Sequence, residues 1–293
     1  MLLGLATRSA LPAWEVDDRH LHTALQQRGV VFERPVWDDP AVDWARFGSV
    51  LIRTTWDYQD KLPAFLGWVR TAGSRTRLWN PPDVVAWNTH KHYLRDLQRA
   101  GVPLAPTLWL DRGGAVDVGA ALRELGAREG FLKPCVGATA RETLRFAADA
   151  VGLGAAAAHV ARLLPHEDLM LQTFLPSVLE RGEWSAIFVE GAITHCVRKI
   201  PVPGDYRVQD DFGARDEPYA PTAAERTAAL TAMAAVEARF SGPLLYGRTD
   251  FLWAADGTCV LTELELVEPS LFFRHAPAAA DTLAAAWLRR FGR

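Results

Sequence analysis

Apolar positions along the chain follow two periods. Met1–Thr7 and Ser49–Arg53 are short, nearly continuous apolar runs, and Val30–Arg34 is a third run of strand length. Between the first and the third, Val16–Arg28 carries apolar residues at helical spacing and stops at Gly29. Strands alternating with helices predict an N-terminal parallel sheet. Asn80–Pro82 punctuates the chain and marks a boundary, giving an N-terminal α/β domain over 1–84 and a second region over 85–293. In that second region His90–Arg99 reads as a helix, Thr107–Leu110 and Gly130–Lys133 as strands, and Asp149–Leu164 as partly helical. Leu169–Phe174, Ser185–Val189 and Ile193–Lys199 read as further strands. Thr222–Phe240 is the clearest helix, with Thr222 and Glu225 in capping-box spacing and Gly242–Pro243 at its end. Ala276–Phe291 reads as a terminal helix.

The segment Leu244–Leu266 holds the most chemistry. Asp256–Gly257 is a two-residue hairpin signal between apolar runs. The register it implies sets Asp250 opposite Glu263 and Arg248 opposite Glu265. Side chains alternate along a strand, so three carboxylates and one guanidinium share a face, with Phe251, Trp253, Leu264 and Leu266 on the other. Like charges opposed in a sheet repel. Two readings fit: a hard-oxygen site for magnesium bridging substrate phosphates, or a solvated face with an Arg248–Glu265 pair.

Composition sharpens one point and excludes several classes. Of 32 basic residues only four are lysines, Lys61, Lys91, Lys133 and Lys199. Arginine serves elsewhere, so a retained lysine marks a place where a compact charge is wanted, as at a tight phosphate site. Lys133 ends a strand and opens the small-residue loop Cys135–Thr143, an arrangement suited to phosphate but matching neither a Walker A loop nor a dinucleotide fingerprint. The net charge of −3 provides no basic face for nucleic acid. No apolar run reaches the ~20 residues of a membrane span. Three widely spaced cysteines, Cys135, Cys196 and Cys259, suggest neither zinc nor a disulfide framework and fit a reduced cytoplasmic compartment. The histidine pairs His20/His22 and His90/His92 stand at i,i+2, a spacing that does not share a helix face, so no metal is expected there. No sequence feature supports a homo-oligomer.

Taken in order, these pieces resemble the ATP-grasp superfamily, closest to its glutathione-synthetase-like branch. The resemblance runs from Asn88-Thr89-His90-Lys91 and Gly101-Val102-Pro103 through Phe131-Leu132-Lys133-Pro134. It continues with Leu171-Gln172-Thr173-Phe174-Leu175-Pro176, Glu180 and Gly182, then Arg248-Thr249-Asp250 and Thr262-Glu263-Leu264-Glu265. It implies an α/β ATP-grasp fold: the N-terminal parallel-sheet domain, and an ATP-binding region with a small mobile lid over about 112–170. By the same resemblance Lys91 and Lys133 contact the ATP phosphates. Gln172 to Leu175 form the hinge, with the backbone of Thr173 and Leu175 reading adenine. Glu180 holds the ribose, with Glu183 a competitor. Asp250, Glu263 and Glu265 bind one or two Mg2+ ions, Glu265 standing where many relatives have asparagine. Lys199 and Arg248 neutralise the transferred phosphate and the developing acyl phosphate. The loop after Lys133 departs from the family in having a single glycine.

The implied activity is ATP-dependent carboxylate activation followed by attack of nitrogen on an acyl phosphate. The strings Lys133–Thr139 and Arg53-Thr54-Thr55-Trp56-Asp57-Tyr58 resemble the small ATP-grasp group that forms cycloserine from O-ureidoserine by intramolecular ring closure. An intermolecular amino-acid or peptide ligase is the alternative, and a non-catalytic nucleotide-binding module a different class. Candidate contacts to the small-molecule carboxylate are Arg8, Asp17, Arg53, Arg207 and Arg274, because arginine suits a carboxylate and strand ends of an α/β domain are where ligands sit.

Overall fold

The computed structural model describes residues 2–12 and 15–291; Met1, read from the sequence as part of the first strand, lies outside them. The N-terminal part runs β1 (Leu2–Thr7), α1 (Asp18–Gln27), β2 (Val31–Glu33), β3 (Ser49–Thr54), α2 (Leu62–Arg75) and β4 (Arg77–Trp79). Its four strands form a parallel sheet in the order β2-β1-β3-β4. Two short helices follow, α3 (Pro82–Asn88) and α4 (Tyr93–Arg99). A second sheet is antiparallel, in the order β5-β8-β6-β7. It contains β5 (Thr107–Leu110), β6 (Glu129–Pro134), β7 (Leu144–Ala147) and β8 (Leu169–Thr173), with α5 (Val118–Glu124) and α6 (Ala150–Leu163) on one face.

The third sheet carries the chemistry. After α7 (Ser177–Arg181) come β9 (Glu183–Val189), β10 (Ala192–Ile200) and β11 (Arg215–Pro218), then α8 (Ala223–Phe240), β12 (Tyr246–Trp253), β13 (Cys259–Glu265) and α9 (Pro277–Phe291). The strands order β11-β10-β9-β12-β13, all antiparallel. Helix α8 begins with the expected reciprocal capping box between Thr222 and Glu225. It buries Ala229, Ala232, Met233 and Val236 against Trp184, Phe251, Leu264 and Leu266. Trp184 lies on this core face, stacked on Phe251 at 4.8 Å.

Asn80 is a clip between sheets. Its amide donates to the carbonyls of Tyr246 (2.9 Å) and Leu266 (2.8 Å), and its oxygen accepts from Leu245 N–H (3.2 Å). The punctuation read there marks a buried junction, 0% exposed. Helix α9 returns to pack beside α1 in the core of the parallel sheet, and Trp287 Nε1 donates to Ser49 Oγ at 2.8 Å.

Candidate active site

The β12–β13 register places Asp250 opposite Glu263 and Arg248 opposite Glu265, as the hairpin pattern predicts, but by a different route. The turn spans Ala254–Thr258 rather than two residues: Ala254 N–H bonds Thr258 O, and Gly257 N–H bonds Ala254 O. This longer turn pairs Trp253 with Cys259 and Phe251 with Leu261, one residue out of step. A bulge at Thr262 restores the register before Glu263. The Thr262 hydroxyl lies 2.8 Å from Glu183 Oε1 and 3.0 Å from the Asp250 carbonyl, so the extra residue is held inside the site.

Pairing carries the site across the sheet. Lys199 is the direct cross-strand partner of Glu183, and Ser185 that of Asp250. Lys199 Nζ is 2.5 Å from Glu183 and 3.2 Å from Asp250, whose Oδ1 accepts from Ser185 Oγ at 2.6 Å. Arg248 Nε is 2.9 Å from Asp250, and its Nη2 bonds Glu265. Asp250 is 1% exposed, which rules out the solvated-face reading of this hairpin. Asp250, Glu263 and Glu265 offer ligand oxygens within 4.8 Å of one another, a set of hard donors that fits a divalent cation. Burial disfavours the charge on Asp250, yet Arg248 and then Lys199 hold its carboxyl well below the usual range. Burial, only partly offset by Arg248 and reinforced by Glu263 and Asp250, pushes Glu265 up to about 7.

Lys91 reaches this group from outside the sheet. Asn88 caps the free edge of β13, donating to Leu264 O (2.9 Å) and accepting from Leu266 N–H (2.7 Å). Leu264 N–H donates to Tyr93 Oη at 3.0 Å. The segment between these clamps sets Lys91 Nζ 2.6 Å from Glu263 Oε1 and 3.0 Å from Gly137 O. Lys133 lines the same cavity without an ion-pair partner among the described residues. Burial, then the charge of Lys91, lowers its amine to about 8.

The loop after Lys133 compensates for its missing glycines. Thr139, Ala140 and Glu142 take φ values near +50°, a region costly for residues with a Cβ. Ion pairs hold it there: Arg141 grips Glu167 in a two-pronged contact (3.0 Å each), and Glu142 meets Arg162. Thr143 Oγ1 lies 3.1 Å from Tyr206 Oη, tying the loop to the strand-connecting segment after β10.

Elsewhere in the cavity wall, Ala105, Phe174, Leu175, Val178, Val208 and Leu252 form an apolar slot. Gln172 and Thr173 line it, but Gln172 is tied to Thr107 Oγ1 (2.9 Å) and Thr173 N–H to Pro106 O (3.1 Å). Glu180 faces solvent on α7 and is outside the cavity wall, whereas Glu183 lines it. Gly182 explains the difference. Its φ is +76°, and a Cβ there would stand 2.3 Å from Lys199 O, so only glycine lets the chain turn Glu183 in beside Lys199.

Of the predicted substrate residues, Arg8 and Arg207 line the cavity. Arg207 is paired with Asp205 at 2.6 Å, while the Arg8 Nε is buried without a partner. Asp17, Arg53 and Arg274 lie behind the wall. Arg53 is 2% exposed, paired with Asp18 at 2.8 Å, and donates to Pro269 O. Asp17 accepts from Arg274 N–H at 3.0 Å, and Arg274 is engaged by Asp210 and Asp216. Their arginine and aspartate identities serve internal ion pairs that sequence cannot tell from ligand contacts. Sequence reading missed Glu268, Ser270 and Phe272, which also line the cavity. His90 and His92 precede α4, so helical spacing does not separate them. Their rings meet at 4.4 Å, and with Cys135 they bring ligand atoms within 4.8 Å.

A cleft between two antiparallel sheets, two lysines facing it and a carboxylate trio at its floor define an ATP-grasp ligase. Comparison with known proteins agrees and is more specific. The family model of the N-terminal domain of D-cycloserine synthetase DcsG matches residues 3–80. The cycloserine biosynthesis protein DcsG of Streptomyces lavendulae is 32% identical over 286 residues, covering 92% of each chain. The crystal structure of D-cycloserine synthetase DcsG superposes with a TM-score of 0.90 at 31% identity, covering 99% of this chain and 100% of that one. A more distant fold relative is the ATP-grasp ligase PsnB, solved with precursor, Mg and ADP (TM-score 0.63, 17% identity, coverage 99% and 98%). The chain belongs to the D-cycloserine synthetase DcsG family.

Proposed function

We propose that this enzyme closes O-ureidoserine into cycloserine. The γ-phosphoryl group of ATP passes to the substrate carboxylate, giving an acyl phosphate and ADP. The oxygen-bound nitrogen of the same molecule then attacks the acyl carbon and phosphate leaves, closing the five-membered isoxazolidinone. The carbamoyl group left on that nitrogen is released by water as carbamate. A carboxylate is a poor electrophile, and phosphate converts one of its oxygens into a leaving group. Holding the chain folded makes the attack unimolecular.

The residues divide this work. Lys91 and Lys133 take the phosphates as compact charges. The apolar slot takes adenine, with Leu175 offering a backbone N–H and Thr173 its carbonyl. Glu183, in place of Glu180, holds the ribose. Asp250, Glu263 and Glu265 would hold one or two Mg2+ ions, which supply charge neutralisation between the phosphates. Lys199 and Arg248 meet the negative charge that develops on the transferred group and on the acyl oxygen. The loop 135–143 and its sheet cover the reacting groups. The free cysteines Cys135, Cys196 and Cys259 suit a cytoplasmic enzyme, and among the described residues no helix is long and apolar enough to cross a membrane.

What carries this reading is likeness to the DcsG protein along nearly the whole chain, including the site-bearing sheet. The test is ADP release with ATP, Mg2+ and O-ureidoserine alone, with mass spectrometry of the product. ADP together with cycloserine supports ring closure. ADP only after a separate amine is added would assign the protein to intermolecular ligation instead.

A further inference from the structure

The buried charges of the cavity pair off with few exceptions. Lys91 meets Glu263, Lys199 meets Glu183 and Asp250, and Arg248 meets Asp250 and Glu265. Among the described residues, and leaving aside Asp211 at the exposed rim, three groups in the wall have no ion-pair partner: Lys133, Arg8 and Glu268. The first two are cations, and the triphosphate and carboxylate of the reaction account for them. Glu268 is the anion left over. It is 6% exposed, and no side chain among the described residues donates to its carboxylate. An unpaired buried carboxylate is costly, and such groups persist where a ligand completes them.

Glu268 is also held firmly in place. Its carbonyl accepts from Trp56 Nε1 at 3.0 Å, and the next carbonyl, Pro269 O, accepts from Arg53 Nη2 at 3.2 Å. Arg53 is itself fixed by Asp18. The buried arginine behind the wall thus fixes the backbone that presents Glu268. The carboxylate sits beyond β13, three residues past Glu265, and shares the cavity with Arg248, Ser270 and Phe272. That is the end of the cavity next to the metal-binding carboxylates, where the activated carboxyl group must lie.

We propose that Glu268 is the subsite for the α-ammonium group of an amino-acid substrate, one carbon away from the carboxylate being activated. This rests on the ring-forming reading for the identity of the substrate, and on the orphaned carboxylate for the subsite. Glu268 thereby selects α-amino acids over plain carboxylates.

The experiment compares O-ureidoserine with its analogue lacking the α-amino group, 3-(ureidooxy)propanoate, as substrates for the wild type, Glu268→Gln and Glu268→Asp. The wild type should favour the amino compound by roughly 10–100-fold in kcat/KM. Glu268→Gln should lose most of that preference through KM for the organic substrate, with KM for ATP unchanged, and Glu268→Asp should recover part of it. A Glu268→Gln enzyme that keeps the full preference overturns the proposal. If the wild type releases ADP with neither compound, the ring-forming reading falls, and the subsite is then judged by calorimetry. Serine and 3-hydroxypropanoate are titrated into protein loaded with Mg2+ and a non-hydrolysable ATP analogue. A preference for serine that Glu268→Gln abolishes sustains the subsite. Equal binding by the wild type, or preference retained in the variant, rejects it.

Discussion

Lys91 Nζ lies 2.6 Å from Glu263 Oε1, so a group assigned to phosphate and a group assigned to metal neutralise each other before either ligand arrives. Burial weakens the charge on Lys91, but Glu263 more than restores it, and Lys91 in turn holds Glu263 ionised. On the proposed roles, loading Mg2+ and ATP together would replace one internal pair by two external ones.

That exchange predicts opposite effects from its two ends. Lys91→Ala should weaken ATP about 10–100-fold, the loss of one charge-assisted contact. Glu263→Gln should abolish turnover in Mg2+, yet bind metal-free ATP at least as well as the wild type because Lys91 is released. Titration of nucleotide in the presence of a chelator measures both. Weaker metal-free binding by Glu263→Gln contradicts the exchange.

Lys133 gives a pH signature. Its amine is lowered to about 8 in the free protein, and bound phosphates favour its charged form. Below pH 8 the ammonium is already present, so binding takes up no proton. Above pH 8 binding must take one up, and ATP affinity should fall by up to tenfold per pH unit. Lys133→Ala should remove this slope as well as weaken ATP. Lys133→Arg should bind poorly at every pH, because a planar fork cannot occupy the position of an ammonium. Full activity in Lys133→Arg contradicts the argument from lysine scarcity.

The surplus carboxylates predict a stability gain on their removal. Burial raises Glu265 to about 7, and burial followed by the charge of Glu265 raises Glu268 to about 8, both above their unfolded value of 4.5. Raised carboxyl pKa values mean that the folded state binds more protons between about pH 4.5 and 8, so these groups lose stability for the protein as pH rises through that window. Glu268→Gln should therefore melt a few degrees above the wild type at pH 8.5, with the difference shrinking toward pH 5. Half-buried histidines such as His22 and His195 are lowered by desolvation and act in the opposite sense. The quantity to measure is thus the variant-minus-wild-type difference in Tm against pH, and a difference that is flat with pH contradicts the assignment.

The Thr262 bulge predicts which changes the register tolerates. Deleting Thr262 removes the extra residue but leaves Phe251 opposite Leu261 and Asp250 opposite Glu263, so Glu263 and Glu265 keep the cavity face. The deletion should fold with reduced turnover, because the local twist and the hydroxyl contacts to Glu183 and Asp250 are lost together. Thr262→Val keeps the bulge and loses only the hydroxyl contacts, so it should melt near the wild type and lose less turnover. Circular dichroism melts and ADP release check both, and a deletion variant that does not fold contradicts the pairing.

Why some of this was legible in the sequence and some was not follows from particular residues. The hairpin pairing was readable because carboxylates spaced by two on a strand must share a face. Yet the two-residue turn was wrong, and the register held only because the longer turn and the Thr262 bulge offset each other. Sequence shows neither, since a bulge leaves no fixed residue signature. Arg53 and Arg274 looked like carboxylate binders because charge identity is visible and its partner is not; Asp18, Asp210 and Asp216 lie far away in the chain. Glu268 escaped notice because it belongs to no motif. Its interest comes from what it lacks, a counter-charge, and only packing reveals that. Glu180 and Glu183 were separable only through Gly182, whose left-handed backbone decides which glutamate turns inward.

The Asn80 clip bears on how the enzyme breathes. One side chain bonds to both β12 and the end of β13 from the chain leaving the parallel sheet, so the substrate wall and the metal floor form one rigid jaw. On the proposed function, opening and closing would then fall to the β5-β8-β6-β7 sheet, which carries Lys133. The organic substrate would enter a preformed half-site, with only the phosphate-bearing side of the cleft travelling. Product escape would therefore be timed by the nucleotide side of the molecule.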